Sequence, residues 1–163
     1  MANFKDMAER ARRAAEERNA SRNQQLDDER IERNRVAEAA VNILKVNVIP
    51  LLEAAKAEFA TTGVESRIVT DFAGREPSVL FQCLGPERRS DKWRFEAPGA
   101  FFASDGEYIK IGLGDKGVDR GPSKGSIASV LPMNAEEGIT GAIEKALEAY
   151  YKALDEHRHN LTR

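Results

Sequence analysis

Residues 36–71 read VAEAAVNILKVNVIPLLEAAKAEFATTGVESRIVTD, and the fold turns on a change of period inside them. Up to Phe59, the residues Ala37, Val41, Leu44, Val48, Leu51 and Ala55 recur in alternating steps of four and three, the spacing of a coiled-coil seam. A second apolar row, Val36, Ala40, Ile43 and Ala54, lies beside it and leaves Glu38, Asn42, Lys45, Glu53 and Lys56 as a narrow polar strip. A helix apolar over so much of its circumference is buried on more than one side. Held straight, residues 34–62 would run roughly 43 Å at about 1.5 Å per residue. A compact domain of some 130 residues is only about 36 Å across. The helix therefore runs past the domain or bends at Pro50, whose ring removes one backbone bond and presses on the preceding turn. Either outcome leaves apolar surface expected to meet a second chain, most simply in a homodimer. Thr61-Thr62-Gly63 then reads as a helix stop, and beyond it the period falls to two.

Outward from this switch toward the C-terminus, strands are expected at Ser66–Phe72, Ser78–Leu84, Lys92–Ala97, Ala100–Ser104, Glu107–Leu113 and Ser126–Leu131. Trp93, Phe95 and Ala97 alternate with Lys92, Arg94 and Glu96, so one face is buried and the other wet. Ile109, Ile111 and Leu113 alternate with Tyr108, Lys110 and Gly112 in the same way. Asp105-Gly106 is a strong hairpin signal and Pro98-Gly99 a second turn signal. Asn134 is placed to cap a last helix, with Glu136 and Glu137 in its first turn and Ile139, Ile143, Ala146, Leu147, Tyr150 and Leu154 along one face. The predicted class is α+β: a long N-terminal helix, an antiparallel meander of about five to six strands, and a C-terminal helix packed on the sheet.

In the other direction, residues 1–33 are charged residues, amides and alanine, with a thin apolar stripe at Phe4, Met7, Ala11, Ala14 and Ala15. Asp6 and Arg10, Glu9 and Arg13, and Glu29 and Arg33 are acid-before-base pairs four apart. Asn19-Ala20-Ser21-Arg22-Asn23 is poor helix material, because short polar side chains compete for the backbone. The expectation is a charged arm over 1–33, helical but intermittent when alone, ahead of a single α+β domain over 34–163.

The chain of 163 residues is long enough to bury a core without disulfides or a metal. Its net charge of −2 advertises neither a nucleic-acid nor a membrane partner. Cys83, the one cysteine, excludes an intrachain disulfide and any multi-cysteine zinc site. The segment MANFKDMAERARR has no apolar core of a secretory leader, and no apolar run would cross a bilayer. The chain is therefore expected in the cytoplasm, without a membrane partner.

Several apparent motifs dissolve in context. Gly112-Leu113-Gly114-Asp115-Lys116-Gly117 spells the dinucleotide fingerprint, but Val118-Asp119-Arg120-Gly121-Pro122 cannot open the helix that the pyrophosphate requires. Residues 114–125 are better read as a solvated loop, with Lys116, Arg120 and Lys124 available to an anion or a partner. His157 and His159 lie two apart, so on a helix they face different ways. Cys83 shares the parity of Val79 and Phe81 and reads as core. Asp71, Glu76, Glu96 and Asp105 are scattered over strands and turns and read as solvated turn acids; acid–base work would need two of them buried in one cleft. Arg10, Arg12, Arg13, Arg18 and Arg22 could contact phosphate, yet with Lys5 they face four acids over residues 1–25, a net of only +2.

Composition and spacing thus favour a non-catalytic interaction protein that self-associates through Ala37, Val41, Leu44, Val48, Leu51 and Ala55 and binds a macromolecular partner. A nucleic-acid-associated protein using the arm's arginines, and a small enzyme with a carboxylate site, are the alternatives. No cofactor or metal is expected.

Overall fold

The computed structural model describes residues 3–74, 76–86, 97–114 and 128–161. The chain divides into two compact units, Met1–Val36 and Ala37–Arg163.

Helix α1 (Phe4–Ile43) forms the first unit and continues into the second. Its start is capped by Asn3: the Asp6 N–H donates to Asn3 Oδ1 at 3.4 Å, while Asn3 Nδ2 donates to Asp6 Oδ2 at 2.8 Å. The helix passes through Asn19–Asn23 without a break. Each of these poor formers costs only about half a kcal/mol, and helix propagation from good formers on both sides carries the segment. Of the three acid-before-base pairs, Glu29–Arg33 forms, at 3.4 Å, alongside Arg12–Glu16, Asp27–Arg30 and Glu32–Arg35.

In the second unit α1 opens into one π-helical turn, Leu44–Val48, and α2 (Ile49–Thr61) follows. The cause is Pro50. A proline cannot donate to the carbonyl four residues back, and its ring crowds that turn. A wider turn relieves both: the Ile49 N–H reaches Leu44 O, five residues back. Asn47 Nδ2 donates to Ile43 O at 3.0 Å within the same turn. Helix α2 ends at Gly63, whose φ of 82° suits a residue without Cβ and whose N–H reaches Ala60 O.

Strands β1 (Glu65–Asp71), β2 (Ser78–Leu84), β3 (Gly99–Ser104), β4 (Ile109–Gly114) and β5 (Ala128–Val130) form an antiparallel sheet in the order β1-β2-β3-β4-β5. The register runs from Glu65↔Leu84 through Phe81↔Ala100 and Ser104↔Ile109 to Ile109↔Val130. The expected strand Lys92–Ala97 lies outside the described residues except for Ala97, and so does the loop beyond Gly114 with Lys116, Arg120 and Lys124. Strand β4 starts two residues later than the expected Glu107, because Asp105 Oδ1 takes the Glu107 and Tyr108 N–H groups at 3.0 and 2.9 Å and withdraws both from the ladder. A 3-10 turn, Pro132–Asn134, leads into α3 (Ala135–Leu161).

One sheet face carries Val79, Phe81, Cys83, Ala100, Phe102, Ile109 and Ile111, and all three helical segments cover it. Helix α2 packs by β1, the π turn by β3, and α3 crosses β2, β3 and β4 with Ile139, Ile143, Ala146, Tyr150 and Leu154 inward. Fully burying a side chain such as Phe81 or Phe102 contributes roughly 1.5–3 kcal/mol. On the opposite face Gln82 is also fully buried, and its amide is satisfied: Arg67 Nε and Nη2 donate to Oε1 at 3.1 and 2.7 Å, and Nε2 donates to Ala97 O at 2.9 Å. Among the described residues no helix is long and apolar enough to cross a membrane.

Candidate functional site

The seam inferred from the four-three spacing distributes differently in three dimensions. The buried line is Ala40, Leu44, Val48 and Leu52, in uniform steps of four. A turn closed over five residues takes in more chain per revolution, so residues four apart stay in line through it. Leu44 and Val48 are wholly covered within the chain, where a second molecule cannot reach them. Leu51 and Ala55 are half-buried against the same core, Val41 is half-buried, and Ala37 is exposed. Near Pro50 the exposed apolar residues are Val46, at 62%, Pro50 itself and the small side chains Ala54 and Ala57.

The arm is the larger apolar display. Every residue from Asn3 to Val36 is exposed, including Phe4 at 76%, Met7 at 58%, Leu26 at 53% and Ile31 at 62%. At 100° per residue, Phe4, Met7, Ala11, Ala14, Leu26 and Val36 share one side of the helix, whereas Ile31 lies opposite. Residues 3–36 hold nine bases and eight acids, so Arg10, Arg12, Arg13, Arg18 and Arg22 belong to a mixed-sign surface. Arg12 is engaged with Glu16 at 2.9 Å, and Arg18 Nε donates to Ala14 O at 3.1 Å.

The carboxylates named from the sequence serve turns. Asp71 Oδ1 accepts the Ala73 and Gly74 N–H groups at 3.2 and 3.1 Å. Asp105 accepts Glu107 and Tyr108, and those backbone bonds hold its carboxyl below the usual aspartate range. Glu76 is ion-paired with Lys110, whose ammonium it stabilises and whose pKa it raises. Asp105 also lies near enough to Lys110 to favour its charged form, and Glu96 lies outside the described residues. Cys83 is buried between β2 and the helices, and desolvation pushes its thiol up to about 11, so it is not a nucleophile at neutral pH. His157 is half-buried and His159 exposed near the end of α3. Among the described residues no group of three or more His, Cys, Asp or Glu could hold a metal ion.

A concavity that the sequence pattern did not announce lies between α3 and the β4–β5 end of the sheet. It is open to solvent on one side and holds about 280 Å³, bounded by Ile111, Leu113 and Val130 from the strands and by Gly141, Ala142 and Lys145 from the helix. The signal that could have located it is the pair Gly138 and Gly141, three apart at the start of an otherwise good helix. A Cβ on Gly138 would come within 2.9 Å of Ile111 Cδ1, so that glycine lets α3 lie close on β4.

No family model matches the chain, and neither a curated protein nor a solved structure was found to be similar to it.

Proposed function

We propose that the chain is a cytoplasmic, non-catalytic interaction protein whose helical arm is its associating element. One observation carries this reading: a helix of 33 residues, 4–36, roughly 50 Å long at about 1.5 Å per residue, buries none of its side chains yet displays Phe4, Met7, Leu26 and Val36 on one side. Scattered exposed apolar residues are ordinary on a protein surface. A row of them on a long solvated helix is not, because isolated helices in water are marginal and gain most of their stability from a packed apolar face. The four exposed ion pairs of the arm contribute little to that deficit. Packing the arm against a second copy, and through it a macromolecular partner, supplies what the single chain lacks. Leu44 and Val48 are buried in the core of the second unit, so this reading places the interface on the arm's exposed residues.

Sedimentation equilibrium of the full chain over a wide concentration range tests this. The wild type should self-associate, and a Phe4→Asp/Met7→Asp/Leu26→Asp variant should stay monomeric with an unchanged melting temperature, since all three positions are exposed. A wild type that is monomeric throughout would refute it.

A further inference from the structure

We infer that the concavity between α3 and the β4–β5 end of the sheet is a binding site for a small apolar monocarboxylate. The concavity holds about 280 Å³, opens to solvent on one side and is lined mainly by apolar groups, the form that small-molecule sites take. An apolar cavity of about 150 Å³ holds benzene, so this one has room for roughly ten heavy atoms by proportion.

Gly141 supplies a second, independent observation. Glycine inside a helix is less favourable than alanine, because it loses more backbone freedom on folding and leaves the backbone uncovered. Gly138 has a packing reason, its close approach to Ile111. Among the described residues Gly141 has none: a Cβ built there meets no atom of theirs within 4 Å. Alanine would fit and would strengthen the helix, yet the position is left bare, and it faces the cavity. Gly112 and Ala128 keep the opposite wall low in the same way.

The ligand's chemistry follows from the lining. Ile111, Leu113, Val130 and Ala142 offer only apolar contact, so the body of the ligand is apolar. Lys145 is the single charged side chain on the wall among the described residues. Its ammonium is a flexible point charge suited to one carboxylate at the mouth. Glu136, Glu137 and Glu144 border a separate, more open hollow on the other side of Gly141, and none of them lines the cavity.

The test titrates the full-length protein with octanoate, 1-octanol and octylammonium, followed by amide shifts of Gly141 and Ala142 in NMR spectra. Octanoate is expected to saturate in the millimolar range or tighter, at least tenfold ahead of the other two. Lys145→Gln should erase that preference while leaving weak binding of the alcohol. Gly141→Leu, which fills the space, should abolish binding of all three without lowering the melting temperature. Absence of saturable octanoate binding to the wild type overturns the site. Equal or tighter binding of octanol or octylammonium overturns the carboxylate assignment, and undiminished binding by Gly141→Leu overturns its location.

Discussion

Replacing Gly99 by alanine would place a methyl carbon 2.5 Å from the Phe81 carbonyl oxygen and 3.0 Å from Leu80 Cδ1. The leucine tip can turn aside, but the carbonyl cannot, because it belongs to β2 next to the Phe81↔Ala100 pair that closes the β2–β3 ladder. That ladder has four paired positions, so parting the strands at one end disturbs a large share of it. Overpacking of this kind costs about 1–3 kcal/mol, and contact with fixed backbone puts Gly99→Ala at the upper end, about 3 kcal/mol. With a urea m-value of roughly 1.5 kcal/mol/M, the unfolding midpoint should fall by about 2 M. Gly141→Ala is the matched control, since its Cβ meets no atom of the described residues within 4 Å. Removing a helical glycine gains about 1 kcal/mol, which raises the midpoint by roughly 0.7 M. Urea unfolding followed by far-UV circular dichroism separates the two. A Gly99→Ala midpoint within about 0.3 M of wild type, at unchanged m, would refute the close approach of β2 and β3 on which this reasoning rests.

Gln82→Leu keeps the volume but removes the acceptor of two Arg67 N–H donors and the donor to Ala97 O. Stranding these groups should cost about 3 kcal/mol in chemical denaturation, and a loss below about 0.5 kcal/mol would show that the amide is dispensable. The Cys83 thiol should resist a disulfide reagent at pH 8 in the native protein and react stoichiometrically once urea unfolds it; prompt native labelling would contradict its burial. Burial raises its folded pKa to about 11, above the ordinary thiol value. Its contribution to stability is therefore complete below the unfolded pKa and fades as pH rises toward the folded one. A Cys83→Ala variant should lose less stability than wild type between about pH 9 and 11, and parallel losses would discount the thiol.

The fold was legible where period and punctuation agree. The change of period at Gly63 separates the long helix from the sheet, and the glycine's positive φ is the physical basis of that stop. Strand β2 occupies the expected Ser78–Leu84, since Val79, Phe81 and Cys83 alternate inward under the helices. The face of α3 follows from its spacing for the same reason. Strand ends were less legible: the start of β4 depends on an Asp105 side chain that competes for two N–H groups. Of the candidate surfaces, Phe4 and Met7 of the arm were named from their spacing, whereas Leu26 was not, and the exposure of all three came only with the structure. The cavity behind Gly141 left only a trace, a glycine whose purpose is invisible until its neighbours are placed.

Local chemistry alone determined that residues 36–59 form an apolar helix and that strands follow, because each depends on neighbours a few positions away; it left open whether the helix runs on or bends at Pro50. Which apolar residues become core was decided only in three dimensions. The proline is accommodated by a π turn, and that wider turn rotates the inward line from the four-three seam to Ala40, Leu44, Val48 and Leu52. A shift of phase along a helix axis changes no local preference, so only packing against the sheet and α3 could select it.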